Sequence, residues 1–196
     1  MQKFSLPQSP KIMSRSGNSA TIEVDALYPG YGTTLGNALR RVLLSSIPGA
    51  AITSVKIAGV DHEFSTIANV MEDVIHILLN LKQVRFKLHS DESVAIKLSA
   101  KGEKKVTAAD FQTVSGQVEV VNPDLYIATL TDKKANLEIE AEVSTGVGYE
   151  PVERRKKEKI AIGSIALDAI YTPVRKVKFV VVNMRVGDRT DFNKLV

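Results

Sequence analysis

No cysteine occurs among the 196 residues of this chain. Disulfides and thiolate metal sites are thereby excluded, and a reducing compartment is compatible. No apolar run approaches the roughly 20 residues needed to span a bilayer. The opening stretch MQKFSLPQSPKI lacks the long apolar core of a signal peptide. A cytoplasmic protein without membrane contact is expected. The three histidines, His62, His76 and His89, fall in different elements without ligand spacing, and are expected to be structural or surface residues. There is no phosphate-binding Gly-x-x-x-x-Gly-Lys loop and no Gly-x-Gly-x-x-Gly following a strand. Nucleotidyl transfer needs clustered carboxylates to hold two Mg²⁺ ions. The closest pair, Asp188 and Asp191, reads as a solvated turn. Ser45 and Ser46 lie in a helix without a nearby histidine. No catalytic residue, metal site or cofactor is expected within the chain.

What is present is ordinary for a soluble globular protein: 44% hydrophobic and 24% charged residues. A chain of this length buries roughly 70% of its unfolded surface. The net charge of +4 is mildly basic and favours acidic partners only weakly.

Periodicity gives the elements. Residues 19–27 read as a strand, and Tyr28-Pro29-Gly30-Tyr31-Gly32 as a turn. The stretch YGTTLGNALRRVLLSSIPGAAI then reads as a short helix. Thr33 or Thr34 is expected to cap its first amides, and Pro48-Gly49 to end it. Leu35, Ala38, Leu39, Val42 and Leu43, with Ser46, gather on one arc, the expected buried face. Leu44 falls on the opposite arc, flanked by Asn37, Arg40 and Arg41, and is expected to face outward. Arginine suits interfaces because its flat fork pairs bidentately and stacks, so this leucine between arginines suggests a docking patch. Small residues at Gly36 and Ala38 would let another helix approach the core arc closely.

Val55 and Ile57 mark a second strand, and Ser65 or Thr66 is expected to cap a second helix reaching about Lys82. Its apolar residues cover more than half the circumference, which implies packing on two sides. From residue 84 the period is two. Val84, Phe86 and Leu88, then Val94, Ile96 and Leu98, read as a hairpin across the polar stretch 89–93. Strands are expected at Val118 and Val120, at 126–131, at 137–143, at 160–167 and at 174–186. Val180-Val181-Val182 suggests burial on both faces of the last. Leu137, Ile139, Ala141 and Val143 alternate with Glu138, Glu140 and Glu142, giving one dry and one wet face. The fold class is α+β, with about eight strands and two helices.

The residues 35–49, Leu-Gly-Asn-Ala-Leu-Arg-Arg-Val-Leu-Leu-Ser-Ser-Ile-Pro-Gly, resemble the signature of the N-terminal domain of the alpha subunit of bacterial-type DNA-directed RNA polymerase. Further blocks continue the resemblance in order: 59–66, 72–82, 106–110, Gly148-Tyr149-Glu150-Pro151, Thr172-Pro173-Val174 and 189–196. The resemblance implies an assembly role in transcription. Two alpha copies pair, and the pair docks on the beta and beta-prime subunits, which carry the active centre. It implies a dimer interface at Leu35, Leu39, Val42 and Leu43. It implies beta contacts at Arg41, Leu44 and Arg40, and beta-prime contacts at Lys82, Leu167, Val174 and Lys194. DNA is met only through the assembled complex. It implies a discontinuous α/β dimerisation domain at 1–48 plus 174–196, with a β-rich domain inserted at 49–173. Relatives continue past the Lys-Leu-Val block into a further helix, a linker and a small DNA-binding domain. Bacteria and plastids both use polymerases of this type. His76 stands where the family pattern more often has a polar or acidic residue.

The alternative is a stand-alone nucleic-acid-binding module using the basic run Arg154-Arg155-Lys156-Lys157 with Lys159, which no aromatic residue interleaves and which otherwise reads as a solvated loop. On that alternative the isolated chain binds DNA or RNA with log K falling steeply against log salt. A gel-shift titration that stays flat at low salt disposes of it.

Overall fold

A computed structural model describes residues 6–90, 92–112, 116–155 and 163–196. The first segment carries strands β1 (Lys11–Ser16) and β2 (Ser19–Leu27) and helix α1 (Tyr31–Ser45). Next come β3 (Pro48–Ile57), helix α2 (Val74–Leu81), β4 (Phe86–Leu88), β5 (Val94–Lys101), β6 (Lys104–Thr107), β7 (Phe111–Gln112), β8 (Val118–Val120) and β9 (Tyr126–Leu130). The long β10 (Asn136–Val147) precedes β11 (Tyr149–Glu150), β12 (Ile165–Ala166) and β13 (Ala169–Ile170). Finally come β14 (Val181–Val186) and β15 (Arg189–Leu195). Two compact units result: residues 1–46 with 174–196, and residues 47–173.

The discontinuous unit is a four-stranded antiparallel sheet in the order β1-β2-β15-β14, with α1 packed on β14 and β15. The start of α1 corrects the sequence reading. Neither threonine caps it; its N-cap is Gly30, at φ 86°, a conformation glycine adopts freely. The free amides are instead taken by a side chain far along the chain. Asn193 Oδ1 accepts from Gly30 N at 2.8 Å and from Gly32 N at 3.3 Å, and Asn193 is buried. Asn193 Nδ2 in turn donates to Asn183 Oδ1 at 3.4 Å. The turn before the helix is pinned by Tyr28, whose ring meets Phe192 edge-on at 5.9 Å, with the Arg189 guanidinium over both rings. At its other end α1 stops at Ser45, ahead of Pro48 and Gly49, which begin β3.

Strand β14 starts at Val181, and no strand is assigned from Val174 to Val180. Val180 and Val182 are 46% and 45% exposed, so the valine triplet is not buried on both faces. The C-terminal block that carries Asp191 is a strand, β15, and not only a turn.

The contiguous unit is built on β10. Its inward residues Leu137, Ile139, Ala141 and Val143 are buried, while Glu138, Glu140 and Glu142 point to water. It pairs on one side with β3 and on the other with β5, in a seven-stranded arrangement ordered β7-β5-β10-β3-β4-β8, with β12 also on β3. The glutamates are answered across the ladder: Lys97 Nζ donates to Glu140 at 2.6 Å, and Ser93 and Ser54 donate to Glu142. Such exposed pairs contribute little stability but suit one register. Phe86 and Phe111, from opposite halves of the strand order, meet edge-on at 6.0 Å, so the sheet curls like a barrel around its core. Ile77 and Leu81 of α2 are fully buried in that core with Val55, Ile127, Leu137 and Ile139. Each such side chain contributes about 1.5–3 kcal/mol.

Two sequence expectations change here. β4 and β5 are not a hairpin. β4 pairs with β3 and β8, and β5 with β10 and β7, because the long β10 takes both β3 and β5 as neighbours and separates them. The second helix starts at Val74, capped by Asp73, whose Oδ1 accepts from His76 N at 2.8 Å. The preceding segment is drawn away by isolated bridges, Thr66 to Asp73 and Val70 to Leu130, and by Glu72, which accepts from Thr129 N at 2.7 Å.

Removing the acceptor at the start of α1 by Asn193→Ala should cost about 1–2 kcal/mol. Asn193→Asp keeps the acceptor and should cost less. Urea unfolding of both variants, with amide exchange at Gly30 and Gly32, checks this.

Candidate functional site

α1 carries the first set of site residues, and the arc expected to be its buried face is largely exposed. Gly32 and Gly36 are its buried positions. A Cβ at Gly32 would come within 2.6 Å of Val181, and one at Gly36 within 2.5 Å of the Phe179 ring. The close approach that small residues allow is therefore made to the second segment of the same unit. Leu44, two turns beyond Gly36, is half-buried. The arc expected to be core faces outward: Leu39 is 48% exposed, Val42 53% and Leu43 36%, with Ala38 also exposed and Leu35 half-buried. Arg40 and Arg41 are exposed. Leu44 is thus not the outward leucine; the outward apolar stripe is Leu39, Val42 and Leu43, with the two arginines beside it.

A second surface lies in the contiguous unit. α2 buries Val74, Ile77, Leu78 and Leu81 but leaves Ile75 and Leu79 exposed, so it is packed on one side only. Ile75, Leu79 and Phe64 line an open groove of about 290 Å³ with Ile165, Ala166 and Leu167, and Lys82 stands at its rim. Phe64 is 75% exposed, a large apolar ring left uncovered by the described residues. Leu167, expected as a contact, is itself buried and forms the groove's floor.

Lys82 and Leu167 are brought together through a residue the sequence reading did not single out. Lys82 Nζ donates to Asp168 Oδ2 at 3.0 Å, and Val152 N donates to Asp168 Oδ1 at 3.1 Å. These two bonds, the lysine's first, hold the Asp168 carboxyl below the usual carboxylate range. A lone aspartate between two short strands gives no pattern that would have identified it.

Val174 and Lys194 belong to the discontinuous unit. Lys194 Nζ donates to Glu23 at 2.9 Å and lies 3.4 Å from Asp25. The hydrogen bond to Glu23, ahead of that to Asp25, raises the lysine above its usual value. Asp188 and Asp191 are each answered by an arginine, Arg185 at 3.9 Å and Arg189 at 2.6 Å. His62 lies 3.2 Å from the Ser65 hydroxyl, His76 pairs with Asp73, and His89 is exposed. Among the described residues no three His, Cys, Asp or Glu side chains gather as a metal-ion set. No helix there is long and apolar enough to cross a membrane. Of the basic run, Arg154 is exposed and Arg155 turns inward, while Lys156, Lys157 and Lys159 lie outside the described residues.

The sequence model of the family described as RNA polymerase Rpb3/RpoA insert domain matches residues 55–172. The chain is 48% identical over 192 residues to the DNA-directed RNA polymerase subunit alpha of Symbiobacterium thermophilum, covering 96% of this chain and 60% of that one. It is 50% identical over 192 residues to that of Desulforudis audaxviator, with the same coverage. It is 48% identical over 197 residues to that of Flavobacterium psychrophilum, covering 98% of this chain and 59% of that protein. The chain spans about 60% of the length of these curated relatives.

Because its native carboxyl is the more acidic, Asp168 stabilises the fold above its unfolded-state value, and that contribution fades as pH falls through the lowered native one. Wild type should be more stable than Asp168→Asn from pH 8 to 5, and the gap should close as pH falls below about 4. Urea midpoints of the two proteins across pH check this.

Proposed function

From the premise that this chain belongs to the RNA polymerase Rpb3/RpoA insert domain family, we propose that it is the alpha subunit, or the N-terminal part of one, of a cytoplasmic or plastid DNA-directed RNA polymerase. It acts as a scaffold and supplies no catalytic residue and no cofactor. Two copies pair, and the pair docks on the beta and beta-prime subunits, meeting DNA only through the complex. The single observation that carries this reading is the match to alpha subunits over essentially the whole chain at about half identity.

The assignment of surfaces is part of the proposal. The discontinuous unit, written from sequence as 1–48 plus 174–196, is the pairing and assembly domain, and 49–173 is the insert. Leu35, Leu39, Val42 and Leu43 meet a second copy. Support comes from α1, where three of these four are exposed on the single chain and would bury apolar area on pairing. Arg41, with Arg40 and Leu44 beside it, meets beta; the exposed guanidiniums suit an acidic or carbonyl-rich partner surface. Lys82, Leu167, Val174 and Lys194 meet beta-prime. For the first two, the groove floored by Leu167 and rimmed by Lys82 supplies both apolar area and a cation.

The test is Arg41→Ala. The expected outcome is a normally folded, self-paired protein that fails to co-purify with beta, since losing one partner of a desolvated interfacial charge pair costs about 2–5 kcal/mol. Unchanged beta binding removes the assignment of that face. A protein that stays solitary by light scattering removes the pairing.

A further inference from the structure

One arginine of the basic run points into the protein. The Arg155 side chain is only 12% exposed. Its Nη1 donates to Thr53 O at 3.2 Å, and its Nη2 donates to Leu167 O. Thr53 O also receives Leu167 N at 2.9 Å, so both ends of Leu167 are tied to one point on β3. Arg155 Nε lies 3.8 Å from Glu150 Oε2 and has no hydrogen-bond partner among the described residues. Glu150 is held in turn by the Tyr171 hydroxyl at 3.3 Å, which sits 2.9 Å from Ser144 Oγ. The Tyr171 ring lies against Gly146, where a Cβ would come within 2.5 Å.

The bonded carbonyl belongs to the peptide joining Leu167 to Asp168. A peptide is planar, so holding its oxygen holds the Asp168 N and Cα, the point from which the side chain leaves. Asp168 carries the two bonds already described, to Lys82 and to Val152 N. The path therefore runs from a buried guanidinium, through one peptide plane, to a carboxylate and then to the ammonium at the groove's rim. A planar fork holds two donors at fixed angles to the two carbonyls, which an ammonium on a flexible stem does not.

We infer that Arg155 is a positioning residue for docking: by holding the Leu167–Asp168 peptide it sets the groove's floor and the place of Lys82 against the partner. The inference rests on the reading that Lys82 and Leu167 face beta-prime. Arg155 itself need not touch the partner, and its place in a basic run does not make it a phosphate contact.

The test measures the affinity of beta-prime for the preassembled complex of the full chain with beta, using wild type, Arg155→Gln, Arg155→Lys and Lys82→Ala. Self-pairing and beta affinity are measured alongside. Both Arg155 variants should weaken beta-prime binding about tenfold, about 1.4 kcal/mol, with self-pairing and beta affinity unchanged. Lys82→Ala on top of Arg155→Gln should add little, because both act through one carboxylate. If the Arg155 variants bind beta-prime as wild type does while Lys82→Ala weakens it, the inference falls and the docking reading stands. If Lys82→Ala also binds as wild type, the docking reading falls with it. Equal loss of all three associations means that Arg155 only maintains the fold, and overturns the inference. Should Arg155→Gln fail to fold, Arg155→Lys, which keeps the charge beside Glu150, carries the comparison.

Discussion

The closeness of α1 to its own sheet governs what the discontinuous unit can present. Two glycines, Gly32 and Gly36, leave no side chain between the helix and Val181, Asn193 and Phe179. A helix seated on its smallest residues must turn its larger ones elsewhere. Leu39, Val42 and Leu43 therefore stand on the outside of a unit too thin to cover them. Packing normally sends leucine and valine inward because burial is favourable and interiors are dense. Here the tight seat takes precedence, and the surplus apolar surface stays exposed on the single chain. An apolar stripe flanked by arginines is the composition of an interface rather than of a surface kept in water.

The contiguous unit follows a different logic. Its long central strand satisfies both of its backbone edges and separates a clean inner row from an outer row of glutamates. A slip of one residue would drive three carboxylates into the core, so the register is strongly specified. That rigid frame carries a less regular corner at 150–155 and 165–171, where two-residue ladders are supplemented by polar side chains. A precise corner on a stiff frame gives the groove beside α2 a fixed shape.

The parts of the fold legible in sequence were those with a clear local period. The second strand of the chain and the alternation through β10 were readable because each residue's side was decided by its own neighbours. The failures share a cause: the deciding partner was remote. Thr33 and Thr34 looked like caps because the true acceptor, Asn193, lies 161 residues from the amide of Gly32. The arc of α1 looked buried because helical periodicity reports an apolar face without saying what covers it. β4 and β5 looked like a hairpin because nearness in sequence is the usual cause of pairing, and only the later β10 separates them. At the candidate site, Lys82 and Leu167 came from resemblance, Asp168 from neither pattern nor resemblance, and Arg155 only as one member of a basic run that reads as a solvated loop. Their roles depend on a carbonyl and a carboxylate meeting across the unit, and composition carries no trace of that.

The capping of α1 by a late residue has a temporal side. Asn193 is made 163 residues after Gly30, and at about 5–20 residues per second the ribosome needs on the order of ten seconds or more to reach it. Until then the first helix has neither its acceptor nor the strands it lies on. The contiguous unit emerges whole in the meantime and can fold first. In a nascent chain the outward apolar stripe of α1 is therefore positioned only once the closing strands are in place.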